Sequence, residues 1–152
     1  MSIIKIKRGL KTNVAAQTLQ AGEPLFATDT GELYVGNGST KILINPKSES
    51  WVAPTLLNSW VNYTGLGFAP TGYYKDPHGI VRLRGFIHSG VSEQNMFVLP
   101  VGYRPAYDMR LPGVGNDVFI QLQIGADGVI KNVGVISNSF VSFDGITFLA
   151  EQ

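Results

Sequence analysis

The chain has 152 residues, including 2 Trp, 6 Tyr and 8 Phe, with 15% charged residues and a net charge of +1. One or two small domains fit this length, and a hydrophobic content of 44% excludes a disordered chain. The lack of cysteine excludes disulfides, thiolate metal sites and thiol catalysis, and the small net charge removes the field that sequence-independent nucleic-acid binding needs.

No apolar run reaches the ~18 residues of a membrane-crossing helix, so no membrane insertion is expected. The first residues, MSIIKIKRGLK, alternate isoleucine with charge and have neither an apolar core nor a small-residue cleavage site, unlike a signal peptide. Their basic residues Lys5, Lys7, Arg8 and Lys11 could suggest nucleic acid, but the alternation reads better as a strand with isoleucines inward and lysines outward. Residues 12–20 (TNVAAQTLQ) can form a helical turn or two, too short to stand without packing partners. Asp29-Thr30-Gly31-Glu32 then separates two short apolar runs, as in a hairpin, and Asn37-Gly38 follows as a second turn. Residues 36–40 (GNGST) look like a phosphate loop but lack the lysine and the flanking strand and helix, leaving a hairpin turn.

Residues 45–50 (NPKSES) form the single composition break, and the expected division is a base module over 1–45, a linker over 46–50 and a larger domain over 51–152. A module of ~45 residues without disulfides or metal cannot build a self-sufficient core. Yet it carries Ile3, Ile4, Ile6, Leu10, Leu19, Leu25, Phe26, Leu33, Tyr34, Val35, Ile42, Leu43 and Ile44. Other copies of the same chain are the most economical cover for that surface, so obligate oligomerisation is expected.

Beyond the linker the period is two. Asp76-Pro77-His78-Gly79 is a turn before a strand in which Val81, Leu83 and Ile87 point one way and Arg82, Arg84 and His88 the other. Val118, Ile120, Leu122 and Ile124 form an inward face, and Asp127-Gly128 marks a hairpin. Across that turn Val129, Val133 and Val135 are expected to point inward, with Lys131 in phase near an end. Residues 140–149 read as a last strand pair bent at Asp144-Gly145. The fold class is therefore all-β.

Catalytic patterns are missing. His78 and His88 fit no metalloprotease spacing, no nucleophile elbow or P-loop is present, and no calcium-loop spacing surrounds Asn116-Asp117 or Asp127-Gly128. The aspartates Asp29, Asp76, Asp108, Asp117, Asp127 and Asp144 mostly stand next to or one residue from glycine or proline, where they support turns rather than a glycosidase pair. The sequons at Asn37 and Asn62 are chance matches in a chain without a secretion signal. No enzyme activity, cofactor or metal site is expected.

Aromatic residues offer the better lead, because sugar and peptide sites combine exposed rings with polar side chains. Trp51, Trp60 and Tyr63 read as structural, and of Tyr73 and Tyr74 one should be buried. The stretch from 103 to 110 mixes two tyrosines, two arginines and an aspartate around a proline. Tyr103, Arg104, Tyr107, Asp108 and Arg110 are the expected ligand contacts, against the alternative of a loop latched by arginine–aspartate pairing.

Two stretches resemble phage fibre proteins. Ile4-Lys5-Ile6-Lys7-Arg8-Gly9, Ala21-Gly22-Glu23-Pro24, Thr28-Asp29-Thr30 and Leu33-Tyr34-Val35-Gly36-Asn37-Gly38 are similar to a recurrent module at the start of phage tail-fibre and baseplate proteins. Lys7, Leu10 and Asn37 depart from that pattern. Trp60-Val61-Asn62-Tyr63, Tyr73-Tyr74-Lys75-Asp76, the run from Gly79 to Gly85 and Leu99-Pro100-Val101-Gly102-Tyr103-Arg104-Pro105 resemble the head domain of Gram-positive phage receptor-binding proteins. The resemblance implies a homotrimer with a small intertwined base followed by an antiparallel, jelly-roll-like β-sandwich head. It also implies a virion location, attachment to other virion proteins through the base, and adhesion to a host cell-surface glycan. The alternative is a purely structural head-fibre, baseplate or decoration protein without a ligand of its own. A small glycan hydrolase is the third reading and lacks an acid/base constellation.

Overall fold

The computed structural model describes residues 6–134 and 138–151, so Ile3, Ile4, Lys5 and Val135 lie outside the described residues. The chain divides into two compact units, Met1–Lys47 and Ser48–Gln152.

The first unit is a four-stranded sheet in the order β1 (Lys7–Gly9), β2 (Pro24–Ala27), β3 (Leu33–Gly36) and β4 (Lys41–Leu43). β1 and β2 are parallel, with Lys7 opposite Leu25, so a crossover must join them. It carries the six-residue helix α1 (Lys11–Ala16), where the sequence allows a turn or two. Leu10 at its start has no capping side chain, but Asp29 Oδ1 accepts from the Lys11 amide at 2.9 Å, and at its end the Lys41 ammonium donates to the carbonyls of Val14, Ala15 and Gln17 at 2.6, 2.8 and 2.9 Å. Carbonyls in the last turn lack the i+4 amide of a continuing helix (Val14 accepts instead from the Gln17 amide at 3.2 Å), and a cation there also complements the helix dipole. Both predicted turns are present, and Asn37 Oδ1 accepts from the amides of Ser39 and Thr40, making the GNGST stretch a hairpin turn. Two predicted surface lysines pair with carboxylates, Lys7 with Glu23 and Lys11 with Glu32. The buried core is small: Val14, Leu19, Leu25 and Ala27, with Tyr34 against it.

In the second unit the strands are β5 (Val61–Asn62), β6 (Gly72–Lys75), β7 (Ile80–Arg84), β8 (Phe86–His88), β9 (Phe97–Val98), β10 (Met109–Gly115), β11 (Val118–Ile124), β12 (Val129–Val133), β13 (Val141–Ser142) and β14 (Thr147–Leu149). They form a seven-stranded sheet, β5-β8-β13-β10-β11-β12-β9, and a three-stranded sheet, β14-β7-β6. All these pairings are antiparallel. One core draws on both sheets: Tyr73, Val81, Leu83 and Phe148 from the smaller, and Ile87, Phe97, Leu122, Ile124, Ile130 and Val141 from the larger.

The alternation from Val81 to Ile87 conceals a change of sheet. β7 belongs to the small sheet and β8 to the large one, and Gly85 between them sits at φ +98°, where a Cβ would lie 2.6 Å from the Thr71 backbone. Only glycine fits that corner. The chain crosses back between β13 and β14, so the predicted last strand pair is two strands in different sheets. Asp144 ties the crossings together by accepting from the Gly85 amide at 2.7 Å, while the Phe143 amide donates to the Gly85 carbonyl at 2.9 Å.

One predicted face is reversed. Ile130 and Asn132 are buried, whereas Val129, Lys131 and Val133 are half-exposed. The hairpin at Asp127-Gly128 sets Ile130 opposite Ile124 and Asn132 opposite Leu122, and residues paired across strands share a face. The buried Asn132 is satisfied, with Oδ1 accepting from the Glu93 amide and Nδ2 donating to Ser92 Oγ. On β11 the inward phase holds for Ile120, Leu122 and Ile124, but Val118 beside the turn is exposed.

Candidate functional site

The five predicted contact residues fall into two groups. Tyr103 and Arg104 are tied into the second unit. The Tyr103 hydroxyl donates to the Glu49 carboxylate, its ring meets Tyr73 edge-on at 5.1 Å, and the Lys75 ammonium lies 5.0 Å from its centroid. The bond to Glu49, helped by burial, pushes the Tyr103 phenol up to about 12. Arg104 Nε donates to the Leu99 carbonyl at 2.9 Å, and its own carbonyl accepts from Glu151.

Tyr107, Asp108 and Arg110 face outward. Tyr107 is 84% exposed. Asp108 Oδ1 accepts from the Ala126 amide at 2.8 Å, bracing the β11–β12 turn, and Arg110 donates to Gln121 at 3.0 Å across the β10–β11 pair. The arginine–aspartate latch suggested by the sequence is therefore not how this stretch is held: Arg104 and Arg110 bond elsewhere, and Asp108 serves a turn.

A second place escaped sequence reasoning. Tyr63, Phe68, Phe86, Val114, Asp117, Phe140, Ser142 and Asp144 enclose a cavity of about 480 Å³ in the second unit. Phe68 stacks on Phe86 with centroids 4.2 Å apart and planes 28° from parallel. Phe86 meets Phe140 at 5.8 Å, and Tyr63 lies 5.8 Å from Phe68 with its ring held edge-on to His88. Phe86 and Ser142 come from adjacent strands, Tyr63 follows β5, and Phe68 follows the 3-10 turn at Gly65–Gly67. Asp117 stands in the two-residue turn between β10 and β11 with φ +62°, and Asp144 stands at the second sheet crossing.

These residues are spread over some 80 positions, four of them aromatic, two acidic and the others Val114 and Ser142, with no local pattern that joins them. Two local signals pointed at the lining, the Asn116-Asp117 turn and the Asp144-Gly145 bend, and both read as turns. Among the described residues no group of three metal-ligating side chains occurs. Most aspartates brace the backbone as predicted: Asp29 accepts from Lys11, Asp76 from His78 and Ile80, and Asp127 from Val129.

Residues 4–40 match the family described as the major tropism determinant N-terminal domain. No curated protein matches the chain in sequence. Among solved structures, the receptor binding protein (gp15) of Listeria phage PSA matches with a TM-score of 0.58 and 18% identity, over 70% of this chain and 68% of that one. At that identity the likeness is one of fold. By its N-terminal domain and its fold, the chain resembles the phage fibre and receptor-binding proteins.

Proposed function

We propose that this protein is a bacteriophage receptor-binding fibre protein, displayed on the virion surface, that holds the particle to a glycan of the host cell wall. The observation that carries the reading is the match of residues 4–40 to a tropism-determinant domain in a chain with the fold of a phage receptor-binding protein. The first unit is the homotrimeric base that also attaches to other virion proteins, and the second is the adhesive β-sandwich head. The base assignment is supported by its four-residue core beside Ile6, Leu10, Ile42 and Ile44, which are 42–53% exposed. That surface is what neighbouring copies would cover. Adhesion then rests on many weak sites acting together, so a millimolar single site suffices, and no bond in the receptor need be cut.

The test is fluorescent decoration of intact bacteria and purified cell walls by the full chain, with its mass measured by light scattering. Decoration that disappears when periodate destroys the wall sugars, from a particle near three times the 16.5 kDa chain mass, is the expected result. Protein that binds phage capsids or tails but decorates no cell wall refutes the adhesive role and leaves a purely structural one. A stable monomer refutes the trimeric base.

A further inference from the structure

We propose that the aromatic cavity of the second unit is a subsite for one pyranose ring without negative charge. Its C–H face would lie against Phe68 and its neighbouring rings, and its hydroxyls would be held by Asp117 and Asp144. The idea takes its biological setting from the adhesive reading above, but its chemistry stands on the cavity alone.

Size and composition come first. About 480 Å³ lies within the range of small-molecule sites, which are mostly apolar with a few placed polar groups. Here four rings and Val114 supply the apolar wall, and two carboxylates and Ser142 supply the polar part. Phe68 and Phe86 are stacked on each other and cover each other's inner faces, so the pair offers a ligand one outer flat face and not a box closing on a compact cation from several sides. A flat wall suits the C–H face of a sugar ring.

The carboxylates then select the ligand. Asp144 is fixed through Oδ1 by the Gly85 amide, which leaves Oδ2 to accept from a ligand. The Asp117 side chain has no hydrogen-bond partner among the described residues and sits on a hairpin turn at the cavity wall. An ionised carboxylate only accepts, so the occupant must donate, as sugar hydroxyls do. Among the described residues no lysine, arginine or histidine lines the cavity, so two carboxylates face an incoming phosphate or uronate without a cation beside them. An apolar side chain from a second copy, such as the 87% exposed Phe119, would strip water from Asp117 and from Asp144 Oδ2 without offering either a donor. A hydroxylated, non-anionic ring satisfies both walls.

Saturation-transfer NMR on the full chain tests this with methyl glycosides of glucose, galactose, mannose, rhamnose and N-acetylglucosamine, against methyl glucuronide and methyl galacturonide. At least one uncharged glycoside should receive saturation on its ring C–H protons, and the two uronides should receive none. Phe68→Ala should weaken that glycoside about tenfold while the chain stays folded, its melting temperature lowered by no more than the loss of one half-exposed ring stack. Asp117→Asn keeps the turn, because asparagine tolerates the left-handed backbone; it should weaken the glycoside and let the uronides in. No saturation of any glycoside, equal saturation of uronides, or two variants that bind like the parent chain would each overturn the subsite. So would a loss of oligomeric mass in Phe68→Ala, which would assign the cavity to a second copy. Cell decoration that persists without glycoside binding removes the subsite and leaves the adhesive reading standing. Glycoside binding by protein that decorates no cell does the reverse.

Discussion

Gly90 and Trp60 make the second unit's stability depend on the absence of a single methyl group. A Cβ on Gly90 would lie 1.9 Å from Trp60 Cδ2 and 2.2 Å from both Cγ and Cε2. Carbon atoms in contact sit ~3.5–4 Å apart, so in Gly90→Ala the indole must retreat by roughly 1.5–2 Å. The glycine segment cannot yield easily: the Ser89 amide donates to Asn138 and the Val91 amide to Asn58 on either side. Trp60 is 2% exposed and belongs to the main core, so its retreat either overpacks that core, at ~1–3 kcal/mol, or removes the ring from it, at ~3–5 kcal/mol. A loss of about 3 kcal/mol is expected, which for a unit of this size lowers the melting temperature by roughly 12–24 °C. Thermal unfolding followed by tryptophan fluorescence and circular dichroism measures it. Gly65→Ala is the control, because its Cβ would meet only Tyr63 Cε1 at 4.0 Å. In a Trp60→Val background the added methyl should cost little, giving a large coupling energy in the double-mutant cycle. A loss below about 1 kcal/mol, or equal losses in both backgrounds, would show that the Trp60 indole does not exclude a methyl group at position 90. Because Trp60 leads directly into β5 and Tyr63, the variant should also disturb the aromatic cavity.

Four further outcomes follow from particular contacts. Lys41→Met removes three bonds from the end of α1 and should cost the first unit about 2 kcal/mol, read as roughly 30-fold faster amide exchange over residues 11–17; unchanged protection would sink the capping role. Tyr107→Ala should reduce cell-wall decoration while leaving the melting temperature within about 1 °C, since a ring this exposed contributes little to folding; loss of assembly would instead make it structural. The Tyr103 phenol, raised from 10.0 to about 12, holds its proton more tightly when folded, so its contribution is full below pH 10 and is lost as pH rises towards 12. The alkaline fall in melting temperature should flatten in Tyr103→Phe, and identical profiles would contradict the Glu49 contact. In the first unit, hydrogen bonds from Lys11 and then Tyr34 hold the Glu32 carboxyl below its ordinary 4.5. Its contribution is therefore present above that pH and fades as acid protonates it, and Glu32→Gln should reduce the acid sensitivity of unit-one amide exchange.

Local conformations are legible in the order of the residues. Turn chemistry at Asp29–Glu32, Asn37-Gly38, Asp76–Gly79 and Asp127-Gly128 is legible because each turn is set by a few neighbouring residues and their own backbone bonds. The inward phase of Ile120, Leu122 and Ile124 is legible for the same reason, since pleating alone sends alternate side chains to opposite faces. The shortage of core in the first 45 residues follows from chain length. Whatever depends on pairing between distant segments emerges with the fold. The face of β12 follows from its register with β11, and a one-residue shift reverses every side chain. Around Gly85 the inward phase of Val81 and Leu83 resumes at Ile87 although the chain changes sheet between them, so the period of two does not mark the corner. Tyr103 and Arg104 look as available as Tyr107 until Glu49 and Leu99 are brought against them. The aromatic cavity is the extreme case. Its lining comes from 63 to 144, and two crossings between sheets, tied by Asp144 and Gly85, bring its rings and carboxylates to one place.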